Sequence, residues 1–162
     1  LAKKVNIDKE KSDALKIFIS YAHKDEEYKN ELMVMLAGLE RRGLIDIWQD
    51  REIEEGDEWL KEIEKAMNEC DLALLFVSAN FINSRFIQGN EVPRLLQRRK
   101  DEGLRVVPII LDHCLWESEP VLSDLQAMPR DAKPIITFPK ENGERTRAWK
   151  EIAQTIEKRA KK

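Results

Sequence analysis

Short apolar runs alternate with longer amphipathic stretches along most of the chain. Residues 16–20 (KIFIS) are a compact β-branched and aromatic run, the pattern of a buried strand. Between residues 24 and 42, Tyr28, Leu32, Met35, Leu36 and Leu39 recur at three- and four-residue spacing. That spacing predicts one apolar face of a helix, ended by Gly43. Residues 44–48 (LIDIW) predict a second strand, followed by the polar loop QDREIEEG. Asp57 is placed to N-cap the next helix, whose face carries Trp59, Ile63, Ala66, Met67 and Cys70. Residues 72–77 (LALLFV) are apolar at every position, as in a central strand covered on both faces. Residues 78–99 begin irregularly and become helical, with Pro93 in the first regular turn, where a missing N–H costs little. Residues 105–111 (RVVPIIL) predict a fourth strand, in which Pro108 marks a bulge or a place towards the sheet edge. After a long irregular stretch, residues 134–138 (PIITF) read as a short fifth strand. A closing helix carries Trp149, Ile152, Ala153 and Ile156.

Strands alternating with amphipathic helices predict an α/β fold: a flavodoxin-like, doubly wound sheet of about five parallel strands with helices on both faces. Residues 1–15 read as a solvated lead-in and residues 16–162 as a single domain. Ligands of such sheets sit outside the carboxyl ends of the strands, near the switch in strand order. The loops after Ser20, Trp48, Val77 and Leu111 are therefore where chemistry is expected.

Composition narrows the choice of partner. In 162 residues, 28 Lys and Arg face 31 Asp and Glu, a net charge of -3 with no overall basic excess for a dedicated nucleic-acid binder. The longest apolar run, residues 72–77, is far short of the roughly 20 residues a spanning helix needs, so no membrane partner is expected. Two cysteines, Cys70 and Cys114, cannot form a disulfide scaffold and fit a reducing compartment. With no signal-peptide pattern, the expected location is cytoplasmic. The chain opens at Leu1 rather than Met, the start expected of a segment of a longer protein. It carries no GxxxxGK[ST], GxGxxG or GxSxG pattern. His113 and Cys114 supply two ligands where a zinc site needs more, so no metal is expected. A phospho-acceptor receiver shares the topology, but its acidic residues have no counterpart here. Asp25 and Glu26 come too late after the first strand, and the third strand ends in Val77-Ser78.

The polar segments at the strand ends carry a different pattern. In order and with compatible spacing they are FISYAHKDE, WQDREIEEGDEW and SANFINSRFI followed by Glu91. A later stretch holds Trp116, Leu125, Gln126, Pro129, Arg130, Asp131 and Pro134, and the closing helix carries Ala148-Trp149. Together these resemble the TIR (Toll/interleukin-1 receptor) domain, most closely its short prokaryotic members. The family contains scaffolds that assemble by TIR–TIR contacts and enzymes that cleave NAD+ at the nicotinamide–ribose bond. The resemblance implies the enzyme: an NAD+ nucleosidase with a linear or cyclised product, activated by assembly and serving prokaryotic immunity. Its alternative is a non-enzymatic interaction scaffold. NAD+ is the substrate in this reading, and no cofactor is implied.

The same resemblance assigns residues. Glu91 matches the family's catalytic Glu, and Phe86, five residues upstream, is the nearest aromatic where the family commonly has a Trp. Tyr21 and His23 follow the first strand, where the family contacts the nucleotide. Trp59 matches an aromatic at the nicotinamide end, and Ser84 and Phe86 belong to the pocket segment. Asp50 and Arg51 are further substrate-binding residues in this resemblance, and with Ile53 and Gly56 they match the BB loop, which in relatives completes a neighbour's pocket. Self-association is implied, with a fused or separate sensor module as a further partner.

Elementary chemistry accommodates a single carboxylate. Nicotinamide departs neutral from a pyridinium and needs no proton, so one acid near the ribose can stabilise the oxocarbenium-like charge, whereas a glycosidase usually needs two. Each residue also has a structural reading. Glu91 suits the first turn of a helix dipole, and Asp50 and Arg51 suit a loop ion pair. Trp59 has core spacing, Ser84 can cap, and Tyr21 and His23 fit ordinary loop polarity. Trp48, Trp116 and Trp149 read as core and Cys70 as inert core. Arg98, Arg99 and Lys100 read as a solvated helix end.

Overall fold

In the computed structural model, which describes residues 13–48 and 57–161, four strands pair into one parallel sheet. They are β1 (Leu15–Ser20), β2 (Ile45–Trp48), β3 (Leu72–Val77) and β4 (Arg105–Ile110). Their spatial order is β2-β1-β3-β4. β3 is hydrogen-bonded on both sides and all six of its residues are buried, which is why it reads as an unbroken apolar run.

The helices are α1 (Glu26–Arg41), α2 (Asp57–Glu69), α3 (Ala79–Asn83), α4 (Val92–Glu102), α5 (Pro120–Ser123) and α6 (Glu144–Ala160). Gly43 ends α1 as its sequence position predicts. At φ +74° it donates to the Glu40 carbonyl while Leu44 donates to that of Leu39, so two orphan carbonyls of the last turn are satisfied.

Alternation along the strands divides the core in two. Ile17 and Ile19 of β1, with Leu74 and Phe76 of β3, face Leu32, Leu36 and Leu39 of α1 and Trp149, Ile152 and Ile156 of α6. Phe18, Ala73, Leu75 and Val77 face the other way, onto Ile63 and Met67 of α2 and Leu95 of α4. Trp149 stacks on Phe76 at 5.9 Å and donates its indole N–H to Glu31 at 3.0 Å. Trp48 stacks on Phe18 at 5.5 Å but stays half-buried, as does Trp116, so only Trp149 of the three tryptophans is fully interior.

Two readings need correction. Residues 134–138 are not a strand, and the sheet has four strands rather than five. Pro134 brings no N–H, and its carbonyl instead closes a 3₁₀ turn over Ile135–Thr137, taking the backbone N–H and the hydroxyl of Thr137. The place beside β4 is taken by Met128, which donates to the Pro108 carbonyl and accepts from the Ile110 N–H. Pro108 thus sits on an edge strand with its missing N–H directed outward, as its residue type demands.

The second correction is Arg98. It is not a solvated helix end: its guanidinium reaches the carbonyls of Met67 and Cys70, both at 2.8 Å, and caps the carboxyl end of α2. Beside it, burial pushes the Cys70 thiol up from 9.0 to about 11, with Arg98 pulling weakly the other way.

α2 starts at Asp57, but the capping role of that side chain lies outside the described residues. So do Asp50, Arg51, Ile53 and Gly56, and the lead-in as far as residue 12. Among the described residues no helix is long and apolar enough to cross a membrane.

Candidate functional site

The strand order reverses between β1 and β3, so the chain leaves both strands at one edge of the sheet and opens a crevice between the two exits. A cleft of about 400 Å³ lies there, lined by Tyr21, His23 and Lys24 from the β1 exit and by Asn80, Asn83, Ser84, Phe86 and Glu91 from the β3 exit. Trp59 of α2 forms a further wall. That volume falls in the range of small-molecule sites.

The β1 exit turns at once into a 3₁₀ turn, His23–Asp25, in which Asp25 donates its N–H to the Ala22 carbonyl. Tyr21 is buried with its ring 5.3 Å from the Lys29 ammonium, while His23 and Lys24 are exposed at the mouth. The β3 exit begins with Ser78, whose hydroxyl accepts the Phe81 N–H at 3.1 Å and caps α3. Ser84 repeats the device one segment later, accepting the Ile87 N–H at 3.3 Å, so it both caps and lines the cleft.

Between Ser84 and α4 the chain makes a π turn, Ile87–Glu91, closed by the Val92 N–H on the Ile87 carbonyl. Pro93 follows immediately. Its ring cannot sit against the carbonyl four residues back in a regular helix, and a widened turn relieves that clash. Glu91 ends this turn and is fully buried at the inner wall of the cleft. Phe86, just before the turn, meets Trp59 with ring centroids 4.9 Å apart and planes tilted by 42°.

Six residues singled out from sequence (Tyr21, His23, Trp59, Ser84, Phe86 and Glu91) are brought to this one cleft. Lys24, Asn80 and Asn83 also line it, and Asp25 backs it; sequence reasoning did not single these out as site residues. Asp25 is almost wholly buried and accepts from Ser78 at 2.5 Å and from Asn80 at 3.2 Å, linking the two exits. The available signal was their position directly after β1 and β3. Away from the cleft, His113 is exposed, and among the described residues no three metal-ligating side chains come together.

An open parallel sheet with helices on both faces and a ligand-sized cleft at its strand-order switch defines a doubly wound α/β domain. The chain belongs to the TIR domain family, whose model matches residues 17–157. It is also similar to the uncharacterized protein y4lF of Sinorhizobium fredii (strain NBRC 101917 / NGR234), 39% identical over 123 residues. That match covers 76% of this chain and 38% of the relative, so the chain spans well under half of that protein's length. A bacterial relative fits the prokaryotic type of the family.

Proposed function

We propose that this chain is an NAD+ nucleosidase that releases nicotinamide and leaves ADP-ribose in linear or cyclised form. The observation that carries the reading is the meeting of a buried carboxylate, Glu91, with two contacting aromatic rings, Trp59 and Phe86, in one ligand-sized cleft. The pyridinium of NAD+ is a flat cation, attracted to aromatic faces by both stacking and charge. Once the glycosidic bond breaks, nicotinamide is neutral and that charge attraction is gone. Glu91 then faces positive charge developing on the ribose, in a wall shielded from water where a carboxylate acts at full strength. Tyr21, His23 and Ser84 hold the remainder of the nucleotide.

TIR domains typically self-associate, and this reading includes activation by assembly. Asp50 and Arg51 contact the substrate, and with Ile53 and Gly56 they serve the contact between copies, in which a neighbour's surface helps exclude water from the reaction. The biological role is that of a cytoplasmic effector of prokaryotic immunity, driven by a fused or separate sensor.

The test is nicotinamide release from NAD+ by purified protein over a wide range of concentration. Specific activity rises with concentration, and Glu91→Gln lowers it at least ~100-fold with folding intact. Full turnover in the Glu91→Gln protein removes Glu91 from the reaction. No release at any concentration, with association between copies intact, replaces the enzyme by the scaffold.

A further inference from the structure

Asn80 stands at the first turn after β3, exposed to the cleft, yet one end of its amide is already committed. Its Nδ2 donates to Asp25 Oδ1 at 3.2 Å. The assignment of nitrogen and oxygen follows from the partner, because a carboxylate only accepts. Asp25 is itself fixed: it is 5% exposed, and its other oxygen takes the Ser78 hydroxyl, whose lone pair in turn holds the Phe81 N–H. The network therefore runs from the backbone of α3 through Ser78 and Asp25 to Asn80. With Nδ2 bound to Asp25, Oδ1 is the amide's remaining hydrogen-bonding atom, on a residue that lines the cleft. Among the described residues no donor is spent on that oxygen.

We infer that Asn80 is a substrate-orienting residue, presenting a fixed carbonyl acceptor to an O–H or N–H donor of the dinucleotide, and that Asp25 is the positioning residue that fixes it. The inference rests on the NAD+ reading above and deepens it. An amide free to rotate offers donor and acceptor alternately and loses entropy when a ligand selects one. An amide anchored from behind offers the acceptor at no such cost. Asn80 lies on the opposite exit from Tyr21 and His23, so an acceptor there engages the ligand from a second direction.

The experiment compares Asn80→Ala, Asp25→Asn and the double variant with the wild-type chain, each checked by thermal melting. Asn80 is exposed, so Asn80→Ala folds normally. It raises KM for NAD+ about tenfold, the value of one hydrogen bond, with kcat changed less than about threefold. Asp25→Asn leaves one acceptor for two donors and raises KM by a smaller factor, and that increment vanishes in the Asn80→Ala background. A purely structural Asp25 would instead lower stability and activity equally with or without Asn80. An unchanged KM in Asn80→Ala, or fully additive effects in the double variant, overturns the inference. If wild-type protein releases no nicotinamide, the nucleosidase reading fails by itself, and calorimetric titration with NAD+ decides on Asn80. Weaker binding in Asn80→Ala then upholds the orienting role, and equal or absent binding in both proteins ends it.

Discussion

On one face of the sheet, α1 and α6 are regular helices of 16 and 17 residues, packed through Leu32, Leu36, Ile152 and Ile156. On the other, the path from β3 to β4 is broken into the five-residue α3, a π turn and the 11-residue α4. The polar interior is divided just as unevenly. Ser20, Asp25, Ser78 and Glu91 are buried at the exits of β1 and β3 or in the segments that follow them, whereas α1 buries only Lys29. Polar groups are expensive to bury, so their concentration along one crevice costs stability and singles that crevice out as the candidate site. The regular layer supplies the stability that makes this possible.

The difference can be broken from either side. The largest effect is expected in the regular layer. Leu36→Ala removes a fully buried side chain from α1 and costs about 2–5 kcal/mol, lowering the melting temperature by roughly 5–15 °C, while KM of the protein that remains folded stays near the wild-type value. Glu91→Gln does the opposite, with the loss of turnover stated above and little change in melting temperature. A Glu91→Gln protein that melts as early as Leu36→Ala would mean that Glu91 is there for the fold.

The Cys70 thiol gives a pH test of the irregular layer. Its folded pKa, about 11, lies above the ordinary 9.0, so the folded chain keeps the proton longer than the unfolded chain does. That contribution is complete below about pH 9 and is lost as pH rises towards 11, up to about 2–3 kcal/mol. Denaturant melts from pH 8 to 11 should show wild-type stability falling towards that of Cys70→Ala; parallel pH profiles would exclude it. The smallest effect belongs to Arg98→Ala, which leaves the Met67 and Cys70 carbonyls without their cap. It should cost about 1–2 kcal/mol in denaturant melts and leave nicotinamide release unaltered.

The regular layer was also the more legible one. The three- and four-residue spacing of α1, its Gly43 stop and the apolar stripe of α6 are direct images of helix geometry. The four sheet strands were legible because burial on one or both faces leaves a period or an unbroken run. Residues 134–138 misled because their β-branched content resembles a strand, while a single missing N–H at Pro134 favours a turn. In the site, Ser84, Phe86 and Glu91 were visible through a family pattern. Asp25 and Asn80 were not, since polar residues held by long-range hydrogen bonds leave no period in the sequence. The π turn was equally hidden: Ile-Gln-Gly-Asn-Glu carries no preference for it, and Pro93 makes sense of it only once the helix is seen. Arg98 escaped because a basic residue near a helix end has the same sequence signature whether it meets water or a neighbouring helix.

The outward-facing proline of β4 has a bearing on how copies of this chain can meet. A parallel sheet with an open edge is a template on which a second sheet can continue, the usual route to uncontrolled aggregation. Here one edge is interrupted by Pro108 and capped by Met128, and the other is the four-residue β2 with Asp46 exposed at its centre. The β4 edge thus offers no unbroken row of backbone groups, and the described β2 edge is short. Backbone pairing between copies is therefore disfavoured at the β4 edge, which leaves helices, loops and side chains as the surfaces better suited to reversible contact.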